Sequence, residues 1–171
     1  MSSEFVKAYN PSSVEDKWYH EWEKAEVFSP QDSGNGETFT IMIPPPNVTG
    51  ILHIGHILNN TVQDVLVRRA RMQGKCTLWL PGTDHASIAT EAKVTKMLKD
   101  KGLDKRSIGR DEFLKHAWEW KDKFGGTILK QLKRMGASCD WSRTTFTMDE
   151  DYSNSVLTVF IKLYNEGLIY R

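Results

Sequence analysis

The feature that most restricts the fold of this chain is a strand–helix–strand pattern in residues 38–81. The segment TFTIMI (38–43) is short, apolar and β-branched, which is typical of a buried strand. Apolar residues then recur at helical spacing as far as Met72, and Gly74 is placed to end that helix. KCTLWLP (75–81) has the pattern of a second buried strand. The short joints between these elements predict a βαβ unit with parallel strands and a right-handed crossover.

An N-terminal helix is predicted in SSVEDKWYHEWEKAEVF (12–28). Its serines and early acidic residues are typical of a helix start, and one apolar stripe includes Trp18 and Trp22. Because an amphipathic helix of this kind buries its apolar stripe, we expect both tryptophans to dock on the rest of the chain.

Further helices are predicted after the second strand, one in residues 87–101 and another that begins near Asp111. Gly125–Gly126 interrupts the second pattern, and each glycine costs about 1 kcal/mol against alanine inside a helix. We therefore expect a break or kink at these glycines. TMDE (147–150) has the form of a capping box and predicts the start of a final helix, which Gly167 would end.

The composition is that of an ordinary globular domain. Of the 171 residues, 26% are charged and 39% hydrophobic, and the formal net charge is +1. These values argue against disorder and against the strongly basic character of most nucleic-acid-binding domains. No apolar run approaches the length of a membrane span, and the N-terminus lacks a signal-peptide core. Cys76 and Cys139 are isolated, which predicts neither a disulfide nor a metal framework and indicates a reducing, cytoplasmic setting.

The segment PPPNVTGILHIGH (44–56) begins where the first predicted strand ends and runs into the following helix. Ligands of open parallel sheets bind at the carboxyl ends of the strands, which is where this segment lies. The prolines at 44–46 lack N–H donors, and an extended run leaves their carbonyls free to accept from an ammonium group. Gly50 and Gly55 allow a bulky planar group to approach the backbone closely. The segment therefore has the features of a ligand-binding loop.

His53 and His56 stand three positions apart at the predicted start of the helix. At that spacing both imidazoles lie on one face, beside unpaired backbone N–H groups and the positive end of the helix dipole. The H-x-x-H spacing alone is weak evidence, but strand, proline run, glycine, H-I-G-H and helix in this order predict a nucleotide site. SGNG (33–36) is similar to part of a phosphate loop, but it precedes a strand, so we interpret it as a surface turn.

H-I-G-H (53–56) resembles the signature of the class I aminoacyl-tRNA synthetases, and the region from Pro46 to His56 resembles its valyl form. Three other stretches are similar to that family: NPSSVEDKWYHEWEKAEVF (10–28), LPGTDHASIAT (80–90) and MGASCDWSRTTFTMDE (135–150). Ser87 departs from the pattern, since many valyl enzymes have glycine there, but Asp84 and His85 are in place.

The resemblance implies a fold and a domain organisation. The fold would be an α/β, Rossmann-like (HUP-type) parallel half-sheet from a class I catalytic domain, with an N-terminal docking helix (10–28) and C-terminal helices. Residues 1–171 would form a single domain that ends before the editing insertion. The second signature of the family, K-M-S-K-S, is absent. We therefore expect these 171 residues to be inactive alone and to self-associate through apolar surface near Ile41, Ile43 and Leu78, whereas the full-length enzyme would be monomeric.

The resemblance also implies an activity. Valine and ATP, with Mg²⁺, would give valyl-adenylate, and the valyl group would pass to tRNA(Val) in the cytoplasm. The matching positions assign catalysis to His53 and His56, ATP binding to Thr49, Gly50, His53, Gly55 and His56, and amino-acid binding to Pro44, Pro45, Asn47 and Asp84.

Functions of three other classes stay open at this point. A nucleotidyltransferase with an H-x-G-H motif would share the same half-sheet but would not depend on an amino acid. A metal site could use His53, His56, Asp84 and His85. A binding module without catalysis is the third possibility.

Several residues also have a structural interpretation. Asp84 could be the N-cap of the helix in 87–101. The tryptophans Trp118, Trp120 and Trp141 fit a core or an interface better than a ligand site. The basic stretches 67–75 and 129–136 could contact tRNA, but we expect solvated helix faces there.

Overall fold

The computed structural model describes residues 8–31 and 36–171. Five α-helices and four strands are present in this part of the chain. They are α1 (Glu15–Lys24), β1 (Thr38–Met42), α2 (Ile54–Met72), β2 (Cys76–Leu80), β3 (Gly82–Thr83), α3 (Ser87–Asp100), α4 (Lys105–Arg134), β4 (Thr145–Phe146) and α5 (Glu150–Asn165). None of the described helices is long and apolar enough to cross a membrane. The turn predicted in SGNG falls mostly on residues 32–35, which lie outside the described residues.

The predicted βαβ unit is present, with α2 between β1 and β2. The two strands are parallel, and their register runs from Thr38 opposite Cys76 to Met42 opposite Leu80. Strand β1 is less buried than predicted, because its residues alternate between exposed and partly buried and Met42 is 71% exposed. Helix α2 ends at Met72 as predicted, and Gly74 follows it with φ +76°.

A second, separate two-stranded parallel sheet follows the carboxyl end of the first one along the chain. Beyond β1 and β2, Asn47 and Asp84 form an isolated parallel bridge. On the adjoining segment, β3 pairs in parallel with β4, and Thr147 N donates to Thr83 O at 3.2 Å. The loop after β1 and the segment after β4 are therefore both hydrogen-bonded to the short stretch around residues 83–84.

The core lies between the sheet, α2 and α4. Its buried members are Ile43, Val67, Trp79, Ile128, Leu132, Ala137 and Cys139. Trp79 is fully buried, and its indole N–H donates to Gln63 Oε1 at 3.0 Å, so that the polar atom keeps a partner. Ile43 is only 1% exposed, and Ile41 and Leu78 are half-buried. The prediction that these three residues form an exposed apolar surface is wrong, because the βαβ unit covers its own strands.

Exposed apolar surface lies instead on two helices. The outward apolar residues of α2 are Ile54, Leu58, Val62, Val65 and Leu66, and those of α5 are Val156, Leu157, Val159, Phe160, Ile161 and Tyr164. The face of α2 that packs on the core carries Val67 and Ala70. The apolar stripe that identified α2 in the sequence is therefore mostly a surface in this chain.

Helix α1 docks through Tyr19 and through one of the two predicted tryptophans. Trp18 is 51% exposed and Trp22 38% exposed. Tyr19 makes the connection, because its hydroxyl donates to Ala137 O at 2.6 Å and accepts from Trp141 Nε1 at 2.7 Å. The predicted docking is wrong for Trp18, whereas Trp22 packs edge-on against the buried Phe28, with 6.2 Å between the ring centroids.

Cations of the basic stretches 67–75 and 129–136 form contacts with other parts of the chain. Arg71 donates to Ser138 O at 2.8 Å and to Phe28 O at 3.1 Å. Lys133 pairs with Glu23 at 2.6 Å. The expectation of solvated faces is wrong for these cations, which tie α2 and α4 to the N-terminal segment.

Helix α4 is continuous through Gly125 and Gly126, and its kink lies at Gly109, where φ is +77° and ψ is 175°. The predicted break is wrong for a packing reason. Gly125 is buried against Val48, and the residues that follow it pack into the core, so tertiary contacts offset the helix cost of two glycines.

The predicted capping box at TMDE is also wrong. Helix α5 begins at Glu150, and its N-cap residue Asp149 makes no side-chain cap bond. Thr147, which would have been the cap, bonds to Asp84 and His85 instead. The end of the helix is as predicted, since Gly167 follows it with φ +73°.

The glycines of α4 give a matched pair of stability predictions. A Cβ at Gly126 would meet nothing within 4 Å, and the residue is helical, so Gly126→Ala should raise the free energy of unfolding by about 0.5–1 kcal/mol. Gly109→Ala should lower it by about 1–2 kcal/mol, because its positive φ strains an L residue. Urea denaturation measures both changes. Equal effects of the two substitutions would contradict the placement of the kink.

Candidate active site

The two histidines cap the N-terminus of α2 reciprocally. His53 is the N-cap residue in an extended conformation, and its Nδ1 accepts from Gly55 N at 3.1 Å. In return, the backbone N–H of His53 donates to Nδ1 of His56 at 3.3 Å. The ring centroids are 3.9 Å apart. The predicted placement of both imidazoles at the helix start is confirmed, and they supply the cap themselves.

These caps determine where the ring protons lie. Because Nδ1 of His53 and Nδ1 of His56 each accept a backbone hydrogen bond, the neutral rings carry their proton on Nε2. Two Nε2–H donors therefore stand at the start of α2. The prediction of unpaired N–H groups beside them is wrong for Gly55 and His56, whose N–H groups already donate to His53. This arrangement suits an anion with several oxygen atoms.

The neutral form of His56 is favoured. Burial lowers its pKa, and the neighbouring imidazole of His53 lowers it further. In this neutral form the ring still carries a proton on Nε2, which it can donate to a phosphate oxygen.

Gly55 has an internal reason to be glycine. A Cβ at this position would lie 3.0 Å from Cε1 of His53 and 3.1 Å from its Nδ1, so the ring would have to shift. Gly50 differs, because nothing lies within 4 Å of a Cβ built there. The approach of a ligand to the backbone of Gly50 and Gly55 stays a prediction.

The proline run and Asp84 lie side by side. Asp84 N donates to Pro46 O at 2.9 Å, and Val48 N donates to Asp84 O at 2.9 Å. The expectation of three free carbonyls is wrong for Pro46, which is buried and paired, whereas Pro44 and Pro45 are exposed.

The other predicted residues of the loop lie beside this pairing. Asn47 is exposed, and its carbonyl accepts from Thr49 N at 2.7 Å, while Thr49 is half-buried. Their backbone therefore forms a tight turn between the proline run and the histidine cap.

Asp84 is not the cap of the next helix. The N-cap position of α3 belongs to Ala86, which has φ +45° and makes no side-chain cap bond. The Asp84 carboxylate accepts from the Thr147 hydroxyl at 3.0 Å and lies 3.4 Å from Nδ1 of His85. The capping alternative is therefore wrong, and the carboxylate is left half-exposed at the carboxyl end of β3.

Helix α4 holds the loop from the other side. Trp120 Nε1 donates to Val48 O at 2.8 Å, and Gln131 Oε1 accepts from Leu52 N at 2.9 Å. Trp120 thus has the interface role that was predicted. Gln131 and Thr147 were missed, and no sequence signal marks them, because their partners lie 79 and 63 residues away along the chain.

The alternative metal site is not formed. Among residues 8–31 and 36–171, no three His, Cys, Asp or Glu side chains lie close enough together to hold a metal ion. The histidine pair caps α2, while Asp84 and His85 bond to Thr147, so the four side chains act as two separate pairs.

Comparison with known proteins identifies the family. A family model described as tRNA synthetases class I (I, L, M and V) matches residues 17–171. The chain belongs to the class I tRNA synthetases. In this synthetase chain, the H-I-G-H segment that carried the resemblance is the reciprocally capped start of α2.

Curated relatives of the synthetase chain are valine--tRNA ligases. The chain is 62% identical to that of Bacteroides thetaiotaomicron over 168 residues and 63% identical to that of Bacteroides fragilis over 168 residues. It is 53% identical to that of Fusobacterium nucleatum over 169 residues. These matches cover 98–99% of the chain and 19% of each relative. The chain thus spans about a fifth of the length of the relatives that it matches.

A solved structure supports the predicted fold class. The ternary complex of Agrobacterium radiobacter K84 agnB2 LeuRS, tRNA and LeuAMS matches with a TM-score of 0.74 at 23% identity. The match covers 95% of this synthetase chain and 19% of that chain. The Rossmann-like α/β fold predicted from the sequence is confirmed.

The histidine pair gives a pH prediction. The NMR titration midpoint of His56 should lie below 6.5, its ordinary value, because burial and His53 both disfavour the charged ring. His53→Asn keeps an acceptor for Gly55 N–H but removes the second ring, so the midpoint should rise towards 6.5 without reaching it, since burial remains.

The sign of the linked stability follows from the same shift. Because the pKa of His56 is lower in the folded chain, its contribution to stability is complete above pH 6.5 and is lost as the pH falls. His20→Asn, an exposed histidine on α1, is the matched control and should leave the His56 midpoint unchanged. A His56 midpoint at or above 6.5 in the unsubstituted chain would contradict the account.

Proposed function

We propose that the protein containing this chain is a valine--tRNA ligase, which activates valine with ATP and transfers it to tRNA(Val). The observation that carries the proposal is the parallel pairing of residues 46–48 with residue 84. This pairing joins the loop that leads to His53 and His56 with Asp84, whose carboxylate is half-exposed. Both segments follow the carboxyl ends of neighbouring strands, where ligands of parallel sheets bind. The identity of about 60% to valine--tRNA ligases supports valine as the amino acid.

The capped start of α2 is the proposed ATP subsite. His53 and His56 would donate from Nε2 to the triphosphate, and the hydrogen bonds would strengthen as negative charge develops on the phosphate oxygens. Gly50 and Thr49 would line the wall beside the adenine, where a Cβ at Gly50 would meet only open space. Gly55 would contribute by letting the His53 ring keep its capping position.

Asp84 is the proposed partner of the valine ammonium group. The carbonyls of Pro44 and Pro45 would accept from the same ammonium, since both residues are exposed next to the paired Pro46. Asn47 would shape the pocket, because its backbone lies opposite Asp84 in the bridge.

The reaction needs no nucleophilic side chain. A carboxylate oxygen of valine would form a bond to the α-phosphorus, and pyrophosphate would leave, so positioning and charge stabilisation would provide the catalysis. Mg²⁺ would accompany the triphosphate and neutralise charge on it. The two Nε2–H donors that the caps leave at the start of α2 fit the remaining phosphate oxygens.

The exposed apolar faces of α2 and α5 fit a larger catalytic body. The relatives are about five times as long as this chain, so the rest of such a protein is the proposed cover for these faces. The isolated 171 residues would then lack half of the site, be inactive and self-associate, whereas the complete protein would be a cytoplasmic monomer.

The first test of the ATP subsite is His56→Ala in the complete gene product. Loss of one donor to a developing charge should slow valyl-adenylate formation by about 10²–10³-fold, with little change in valine affinity. Single-turnover adenylation measures the rate. His20→Ala is the control, and adenylation at the unsubstituted rate in His56→Ala would contradict the assignment.

The amino-acid subsite is tested by Asp84→Asn. The shape of the side chain is kept but its charge is lost, so valine binding should weaken by about 1.5–3 kcal/mol, seen as a higher KM in valine-dependent ATP–pyrophosphate exchange. Exchange that does not depend on any amino acid would favour a nucleotidyltransferase. Unchanged valine KM in Asp84→Asn would place the ammonium partner elsewhere.

A further inference from the structure

One hydroxyl group connects the segment after β4 with the acidic end of β3. Thr147 Oγ1 lies 3.0 Å from Asp84 Oδ1, 3.0 Å from the backbone N of His85 and 2.6 Å from Nδ1 of His85. The backbone of Thr147 is fixed independently, because its N–H donates to Thr83 O at 3.2 Å. The hydroxyl is thus held against two side chains by the parallel pairing of β3 and β4.

The number of protons determines how these contacts can form. A hydroxyl donates one hydrogen bond, and an ionised carboxylate can only accept, so the Thr147 proton goes to Asp84 Oδ1. The oxygen of Thr147 then has to accept from the backbone N–H of His85 and from Nδ1 of its ring. Nδ1 of His85 can donate only if it carries a proton, which leaves Nε2 of the neutral ring as an acceptor. This tautomer is the opposite of the one that the caps give His53 and His56.

The surroundings keep the His85 ring in this orientation. Its ring packs edge-on against Phe146 at 6.4 Å between centroids. The carbonyl of His85 accepts from the Thr90 hydroxyl at 2.6 Å. Beyond His85, Ala86 adopts a left-handed conformation, which an L residue rarely holds without support from its neighbours.

We propose that Thr147 is a positioning residue for the amino-acid subsite, in which its hydroxyl fixes the Asp84 carboxylate and sets the Nδ1–H tautomer of His85. The inference rests on the proposed function, in which Asp84 binds the valine ammonium group. With Oδ1 engaged by Thr147, Asp84 Oδ2 is left to meet the ammonium. The unprotonated Nε2 of His85 adds a second acceptor, on a side chain that is 40% exposed.

The kinetic test compares three substitutions in the complete gene product. Thr147→Val removes the hydroxyl at nearly constant shape and should raise the valine KM in ATP–pyrophosphate exchange by about tenfold, with kcat changed by less than about threefold. Thr147→Ser restores the hydroxyl and should bring KM back to within about threefold of the unsubstituted value. Thr145→Val is the matched control and should leave both parameters unchanged. Among the residues that the structure describes, the Thr145 hydroxyl donates only to Arg143 O, at 3.3 Å.

A double substitution tests whether Thr147 acts through Asp84. In an Asp84→Asn background, Thr147→Val should change the valine KM by less than about threefold, because the charge that it positions is gone. A full tenfold effect in that background, or a Thr147→Val variant with the unsubstituted KM, would overturn the proposal.

The tautomer is measured separately by ¹⁵N-histidine NMR. In the unsubstituted protein the proton of neutral His85 should be on Nδ1, and in Thr147→Val that preference should be lost. The measurement on the unsubstituted protein needs neither a substrate nor a variant that folds. A His85 ring with its proton on Nε2 in the unsubstituted protein would overturn the proposal. Absence of valine-dependent exchange in that protein would instead overturn the proposed function and leave the tautomer result standing.

Discussion

The hydrogen bond from Asp84 N to Pro46 O is the contact on which the candidate site depends. A proline run cannot donate to a sheet, so pairing between the chain after β1 and the chain after β2 can continue only through its carbonyls. The bond, together with Val48 N to Asp84 O, carries the parallel pairing past the prolines. It places the carboxylate of Asp84 beside the loop that leads into the histidine cap. Without it, the two proposed subsites would have no fixed relation.

The loop is held because α4 supports it from the side opposite the strands. Trp120 and Gln131 satisfy Val48 O and Leu52 N, two backbone groups that the strand pairing does not use. A buried backbone group without a partner would cost about 1–3 kcal/mol, so these two side chains stabilise one conformation of the loop. The same helix carries Gly125, which is buried next to Val48. The position of the loop is therefore a property of three packed elements.

Histidines with opposite tautomers lie at the carboxyl ends of neighbouring strands. His53 and His56 accept at Nδ1 from the backbone and present Nε2–H donors, which suits phosphate oxygens. His85 meets the Thr147 hydroxyl at Nδ1 and presents an acceptor, which suits an ammonium group. The difference arises from the partner of each Nδ1, since the residue type is the same. The same type of side chain can therefore favour an anion at one subsite and a cation at the other.

The sequence by itself determined the βαβ unit, the ends of α2, the helix predicted in 87–101, the two histidines at the start of α2 and the position of Asp84 just after the second strand. Each follows from local spacing or from the rule that parallel strands end at the same edge. The tertiary structure alone decided that Tyr19 docks α1, that Gly125–Gly126 stays helical, and that Thr147 leaves its capping role for Asp84 and His85. These outcomes depend on partners far apart along the chain, such as Thr147 and Asp84 at a separation of 63 residues. No local pattern encodes such contacts, because their free energy exists only once the elements have packed.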